Sequence, residues 1–161
     1  MLTAQDHATV VRSYYDALNR REIDKNLSLV TDDVKWMNIP FNASFSGRKE
    51  YREYLENWTK AMPDYKVEII NLIVGGDSEW ATVEFVGRGT HTAPLAGFQG
   101  TFPATNKKLE LKFCELLRIK DGLIVEGHLY FDSASLMRQF GVLPQTPMPH
   151  TPTLQPVPAG R

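Results

Sequence analysis

Cysteine is nearly missing from this sequence. Cys114 is the only one in 161 residues, so no disulfide can form within the chain and no zinc site can be built from thiolates. An excess of charge is missing too. Lys and Arg number 18 against 19 Asp and Glu, a net charge of −1. Nucleic acids and anionic membranes are attracted by a positive field, and this chain has none to offer. No apolar run approaches the roughly 20 residues that cross a bilayer. The opening stretch MLTAQDHATVV carries neither the basic patch nor the apolar segment of a signal peptide. A soluble cytoplasmic protein that binds neither nucleic acid nor membrane is the expectation.

What is present is a 42% apolar content, enough for one self-supporting core. The pattern changes character part-way along the chain. Thr3 to Arg20 reads as a helix capped by Thr3, with Val10, Val11, Tyr14 and Leu18 at helical spacing. Ile23 to Val30 reads as a second, short helix. Val34 to Asn38 alternates as a strand, with Val34, Trp36 and Asn38 on one side. Ser46 can cap a third helix whose apolar stripe is Tyr51, Tyr54, Leu55, Trp58 and Met62, and Pro63 ends it. Strand patterns then follow one another: YKVEIINLIV, EWATVEFVGRGTH, LELKFCELLRI and LIVEGHLYFD. Their separators are GGDS, a loop APLAGFQGTFPATNK, and KDG. Helices first and hairpin-connected strands later predict an α+β fold with a mostly antiparallel sheet. A last short helix is expected over Ser133 to Phe140. The domain is expected to span 1–143, with a proline-rich tail over 144–161.

The KDG turn sets a register. With Ile119 opposite Val125, Arg118 faces Glu126 and Lys112 faces Asp132 on one side of the hairpin. The other side carries Phe113, Glu115, Leu117 and Ile119 against Phe131, Leu129, Gly127 and Val125. In EWATVEFVGRGTH the apolar side is Ala81, Val83, Phe85, Gly87, Gly89 and His91. Each strand thus has an apolar inner face bearing one ionisable group, His91 or Glu115. The glycines before His91 are expected to hold the mouth of a cavity open. His128, Tyr130 and Asp132 alternate on one strand but are assigned to the outer face, and no metal site is expected.

At this level of detail the sequence resembles the SnoaL-like polyketide cyclase (ester cyclase) family, within the cone-shaped fold of nuclear transport factor 2 (NTF2). The residues that carry the likeness are Gly89-Thr90-His91-Thr92, the loop with Gly97, LLRIKDGLIVE, Asp132 and LMRQFG, together with YYDALN and AMPD. The resemblance implies a cone enclosing a pocket for a polycyclic ester. It also implies ring closure by an intramolecular aldol step without metal or cofactor, with an aspartate as acid/base beside a strand histidine. The enolate in that family is stabilised largely by the substrate's own conjugation. Aligned through LLRIKDG, the family's strand histidine falls on Glu115 and its catalytic aspartate on Leu129.

His91 and Glu115 are therefore the expected acid/base pair, because desolvation and a charged neighbour can tune both toward neutrality. Asn38 is the expected group to hold a carbonyl oxygen as it gains charge. The expected substrate-binding wall is Tyr14, Trp36, Tyr54, Trp58, Met62, Phe85, Phe113, Leu129 and Phe131. The leading reading is a cofactor-independent cyclase or isomerase. It acts on a small apolar, aromatic or polycyclic molecule, in a homodimer built through the outer sheet face. The alternatives are a lipophilic ligand-binding protein without turnover, favoured by the missing aspartate, and a protein-interaction scaffold.

Overall fold

Thr3 starts the first helix as expected: its hydroxyl accepts the Asp6 N–H at 3.3 Å while the Asp6 carboxylate accepts the Thr3 N–H at 2.7 Å, a reciprocal cap. In the computed structural model, which describes residues 3–76, 78–97 and 100–145, this helix is α1 (Ala4–Asn19). Then follow α2 (Ile23–Ser28), β1 (Val30–Asn38), a 3₁₀ turn (Ile39–Phe41), β2 (Ala43–Ser46) and α3 (Gly47–Ala61). Next come β3 (Lys66–Val74), β4 (Trp80–Thr90), β5 (Leu95–Gly97), β6 (Gly100–Phe102), β7 (Lys108–Lys120), β8 (Leu123–Phe131) and α4 (Ser133–Gln139). Six strands form one sheet in the order β2-β1-β8-β7-β4-β3, antiparallel throughout except for the β1–β8 pair. The helices pack on its inner face, which gives the α+β cone.

Several local expectations need correction. The second helix stops at Ser28, and the first strand begins at Val30, earlier than its alternation suggested. Ser46 precedes α3, but its hydroxyl caps nothing; its N–H donates instead to Glu50 Oε2 at 2.8 Å. The long loop after His91 contains a small hairpin of its own, β5 with β6. The proline-rich tail, 144–161, lies outside the described residues from position 146 onward.

The last hairpin confirms the deduced register from Phe113↔Phe131 through Arg118↔Glu126. The Arg118–Glu126 ion pair forms at 3.3 Å. Nearer the turn the pairing slips by one, to Ile119↔Ile124 and Lys120↔Leu123. Asp121 and Gly122 both have positive φ, 51° and 80°. A two-residue turn of that kind dictates a tight register, and a bulge at Val125 restores the other one. The ladder ends at Phe131, so Lys112 does not face Asp132. That carboxylate turns to cap α4, accepting the Ser135 N–H at 3.1 Å.

The registers align three rows of residues across the inner face. One is Trp36–Gly127–Leu117–Ala81, the next Asn38–Leu129–Glu115–Val83, the third Phe131–Phe113–Phe85. Helix α1 lies over these rows and is tied down at its end. Asn19 donates to the Val67 carbonyl at 2.8 Å and accepts the Val67 N–H at 2.7 Å. Asp64 holds the far end of β4 by accepting the Thr90 N–H and hydroxyl, both at 2.7 Å.

Candidate active site

Glu115 sits in the middle row with Leu129 on one side and Val83 on the other, only 4% exposed. Tyr15, from α1, donates its hydroxyl to Glu115 Oε2. The Trp36 indole N–H lies close enough to favour the carboxylate, yet it closes no hydrogen bond of ordinary geometry. Burial outweighs both and pushes the Glu115 carboxyl up to about 8 from its usual 4.5; no cation enters the balance. An isolated buried charge is costly, so this group carries its proton through most of the neutral range. Tyr15 is held well above the ordinary phenol value by burial and by the carboxylate beside it, so it remains a donor.

Glu115 faces a small apolar chamber of about 50 Å³ between α1, α3 and the sheet. Its wall includes the expected Tyr14, Tyr54, Trp58, Phe85, Phe113, Leu129 and Phe131. Tyr15, Leu18, Leu55, Tyr65 and Val67 also contribute. Tyr15 was legible, since it follows Val11 by four positions on the same helix. Asn38 lines the chamber too, 7% exposed, and its Oδ1 has no hydrogen-bond partner among the described residues. Asn38 and Glu115 lie two strands apart in one row, so their Cα atoms are about 10 Å apart and both side chains reach the same space.

Asn38, Tyr54 and Trp58 also line a second cavity of about 770 Å³, which makes them the threshold between the two. This vestibule is walled by the 38–45 segment, α3, the β5–β6 hairpin and α4. The chamber alone holds little more than a water or a functional group; the vestibule holds a drug-sized molecule. The hairpin is clasped to α3 by one residue: Asn57 donates to the Ala96 carbonyl at 2.8 Å and accepts the Ala96 N–H at 2.9 Å. Asn57→Ala is expected to speed amide exchange at Ala96 by about tenfold or more through loss of both bonds. Unchanged exchange there would show that buried Leu95, not Asn57, holds the hairpin.

Three expected site residues stand elsewhere. His91 lines neither cavity. It lies eight positions beyond Val83, the partner of Glu115, which is roughly 26 Å along the strand. It is 0% exposed, stacked on Phe140 at 4.5 Å, with Nδ1 3.1 Å from Thr105 Oγ1, and burial lowers its pKa. The imidazole thus stands neutral behind the vestibule wall, and the structure does not bring it to Glu115. Trp36 lies behind the chamber, flat against Gly127. Met62 is buried beneath Gly89. The glycines of β4 do not hold a mouth open: Tyr65 fills the space over Gly87 and Gly89.

The arrangement is a cone with a buried carboxylic acid at its floor, and its sequence matches the SnoaL-like polyketide cyclase family model over residues 8–140. The chain belongs to the SnoaL-like polyketide cyclase family. Solved structures share the fold. TsrD from Streptomyces laurentii aligns with a TM-score of 0.75 at 19% identity, covering 89% of this chain and 100% of that one. AclR from Streptomyces galilaeus aligns with a TM-score of 0.71 at 20% identity, covering 88% and 98%. A protein of ketosteroid isomerase-like fold from Catenulispora acidiphila gives 0.69 at 18% identity, covering 86% and 97%. No curated protein matches the chain. The SnoaL-like chain therefore has the NTF2-like cone, a fold of small-molecule-binding cyclases and isomerases. No helix among the described residues is long and apolar enough to cross a membrane.

Proposed function

We propose that this SnoaL-like protein is a cofactor-independent cyclase or isomerase that removes a proton next to a carbonyl of an apolar, polyketide-like substrate. The observation that carries the reading is Glu115: a buried carboxyl with its pKa near 8, at the floor of an aromatic chamber that opens into a vestibule of substrate size. A base works best when its pKa lies near the working pH, because it is then both available and strong. Here the carboxylate acts without His91. Tyr15 orients it, and Asn38, whose free atom is an acceptor, receives a hydroxyl or enol proton of the substrate rather than its carbonyl oxygen. The aromatic wall takes the carbon skeleton.

The test is exchange of α-protons in deuterated water, read by NMR on a panel of apolar aryl ketones and diketones. The wild-type chain is expected to exchange at least one of them, with kcat/KM rising as pH passes through about 8, where Glu115 ionises. Glu115→Gln is expected to lower the rate about a hundredfold or more. Equal rates in the two proteins would remove Glu115 from the mechanism.

Leu129 favours a second reading. By the resemblance it falls where the family has its catalytic aspartate, and it pairs directly with Glu115; a pocket without that group could bind a lipophilic molecule and leave it unchanged. Recovery of intact ligand with no exchange in any ketone would select this reading. A homodimer through the outer sheet face finds support in the row Ile73–Thr82–Leu116–His128 and in exposed Tyr130.

A further inference from the structure

We propose that the vestibule is built for a cationic ligand: an apolar aromatic molecule carrying a protonated amine, its ammonium held by Glu53 and Glu50 against the rings of Phe45 and Tyr54. The proposal deepens the small-molecule reading of the same pocket and rests on it, but it does not depend on proton abstraction at Glu115.

Helix α3 gives one face to the vestibule. Glu50, Glu53, Tyr54, Asn57 and Trp58 line it, at the i, i+3, i+4, i+7 and i+8 positions of a single stripe. A helix stripe turned toward an apolar space is ordinarily apolar throughout. Here the later turns carry aromatic rings and the first two carry carboxylates. These are the only charged side chains on the vestibule wall among the described residues; no Lys, Arg or His lines it. Both are exposed, so they stand at the mouth and keep their charge in water. A concave wall charged with one sign concentrates ions of the other.

Glu50 has a local reason to be acidic. It lies in the first turn of α3, where the helix dipole favours an anion, and its Oε2 accepts the Ser46 N–H at 2.8 Å. Glu53 has no such reason. The cations of its helix are turned elsewhere: Arg48 to Asp32, Arg52 to Asp24 and Glu56, Lys60 to Glu56. Lys49, one turn earlier, makes no ion pair with it.

Asn38 points to a ligand independently. It is 7% exposed, stands at the threshold of both cavities, and its Oδ1 has no partner among the described residues. A buried acceptor left open is costly until a guest satisfies it. Asn57 cannot do so, because its amide is committed to Ala96. The groups left open on the wall are therefore acceptors, joined by the Ser44 and Tyr54 hydroxyls, which both donate and accept. A carboxylate or phosphate ligand would meet two anions and a free amide oxygen. A ligand with N–H donors is matched at each.

The rings complete the fit. Phe45 and Tyr54 lie beside the acids with centroids 4.6 Å apart, and Trp58 continues the wall to the threshold. An ammonium against such rings is attracted to their faces. Trp58 is five residues beyond Glu53, about 7.5 Å along the helix. A two-ring aryl body spans that length. Lying across Tyr54 and Trp58, it puts its amine beside Glu53 and its other end at the threshold.

The test titrates three ligands that share one aryl body and differ in charge at pH 7. They are 2-(2-naphthyl)ethylamine, protonated there, the neutral 2-(2-naphthyl)ethanol, and the anion 2-naphthylacetate. Binding is read by calorimetry at low and high salt. At low salt the amine is expected to bind about tenfold tighter than the alcohol, with the acetate weakest. Glu53→Gln should cut the amine's advantage about threefold, and Glu50→Gln with Glu53→Gln should nearly erase it, while the alcohol binds as before. High salt should shrink the advantage as well. Glu56→Gln removes the same charge outside the vestibule wall, where Glu56 pairs with Arg52 and Lys60, and should leave the advantage intact. Equal affinity for the three ligands, a preference for the acetate, or an equal loss in Glu56→Gln would overturn the proposal and leave the small-molecule reading standing. Binding of none of the three would overturn both.

Discussion

Above pH 8 the Glu115→Gln protein is expected to be more stable than the wild-type chain, by about 5 kcal/mol. The carboxyl is raised from 4.5 to about 8 in the folded state because it is buried without a cation. Between those two values the folded chain holds one proton more than the unfolded chain, so stability falls as pH rises. Below pH 4.5 both states are protonated and the penalty vanishes; above pH 8 both are ionised and it is fully present. Glutamine has no such proton, and its amide oxygen still accepts from Tyr15. Urea unfolding of both proteins from pH 4.5 to 9 checks this: the wild-type midpoint should drop across the window relative to that of Glu115→Gln. Parallel curves would show that Glu115 is solvated in solution and would take away the reason for its raised pKa. The same substitution is expected to slow proton transfer about a hundredfold or more. A site that gains stability when its reactive group is removed is one where function is maintained against folding.

Much of this was legible in the sequence because the relevant signals are periodic. Alternation in VKWMN, EWATVEFVGRGTH and LELKFCELLRI fixes which residues face inward, and opposite charges at Arg118 and Glu126 fix the pairing of two strands. Period alone says which face a residue takes, but not how far along the sheet it stands from another. His91 and Glu115 share the inner face and are still about 26 Å apart along the strand, since only the β4–β7 register, Val83↔Glu115, sets that distance. Glycine is the other blind spot. A missing Cβ reads equally as open space or as room taken by a neighbour. At Gly87 the neighbour is Tyr65, twenty-two positions earlier in the chain. The vestibule was also hidden, because the β5–β6 hairpin that closes it is short and lies within a run that reads as loop.

Gly127→Ala is expected to destabilise the fold by about 3 kcal/mol, through overpacking rather than lost contacts. Gly127 is the parallel partner of Trp36, and a Cβ there would lie 2.6 Å from two carbons of the indole and 2.7 Å from a third. The obstacle is the flat of a ring, not the end of a mobile chain. Nor can the ring retreat. It is stacked against Tyr51 at 4.6 Å and Tyr14 at 5.8 Å, and those two hydroxyls are bonded to each other. A close-packed interior passes such a push along instead of absorbing it. The substitution should therefore lower the urea midpoint with little change in its slope. It should also lower α-proton exchange at temperatures where the protein is still folded, because Tyr14 and the Trp36 N–H move relative to Glu115. Gly76→Ala provides the contrast. Its Cβ would meet nothing within 4 Å, so it is expected to cost little. If the two substitutions cost the same, the Tyr14–Trp36–Tyr51 stack is not the rigid element that positions the chamber, and Gly127 is an ordinary strand glycine.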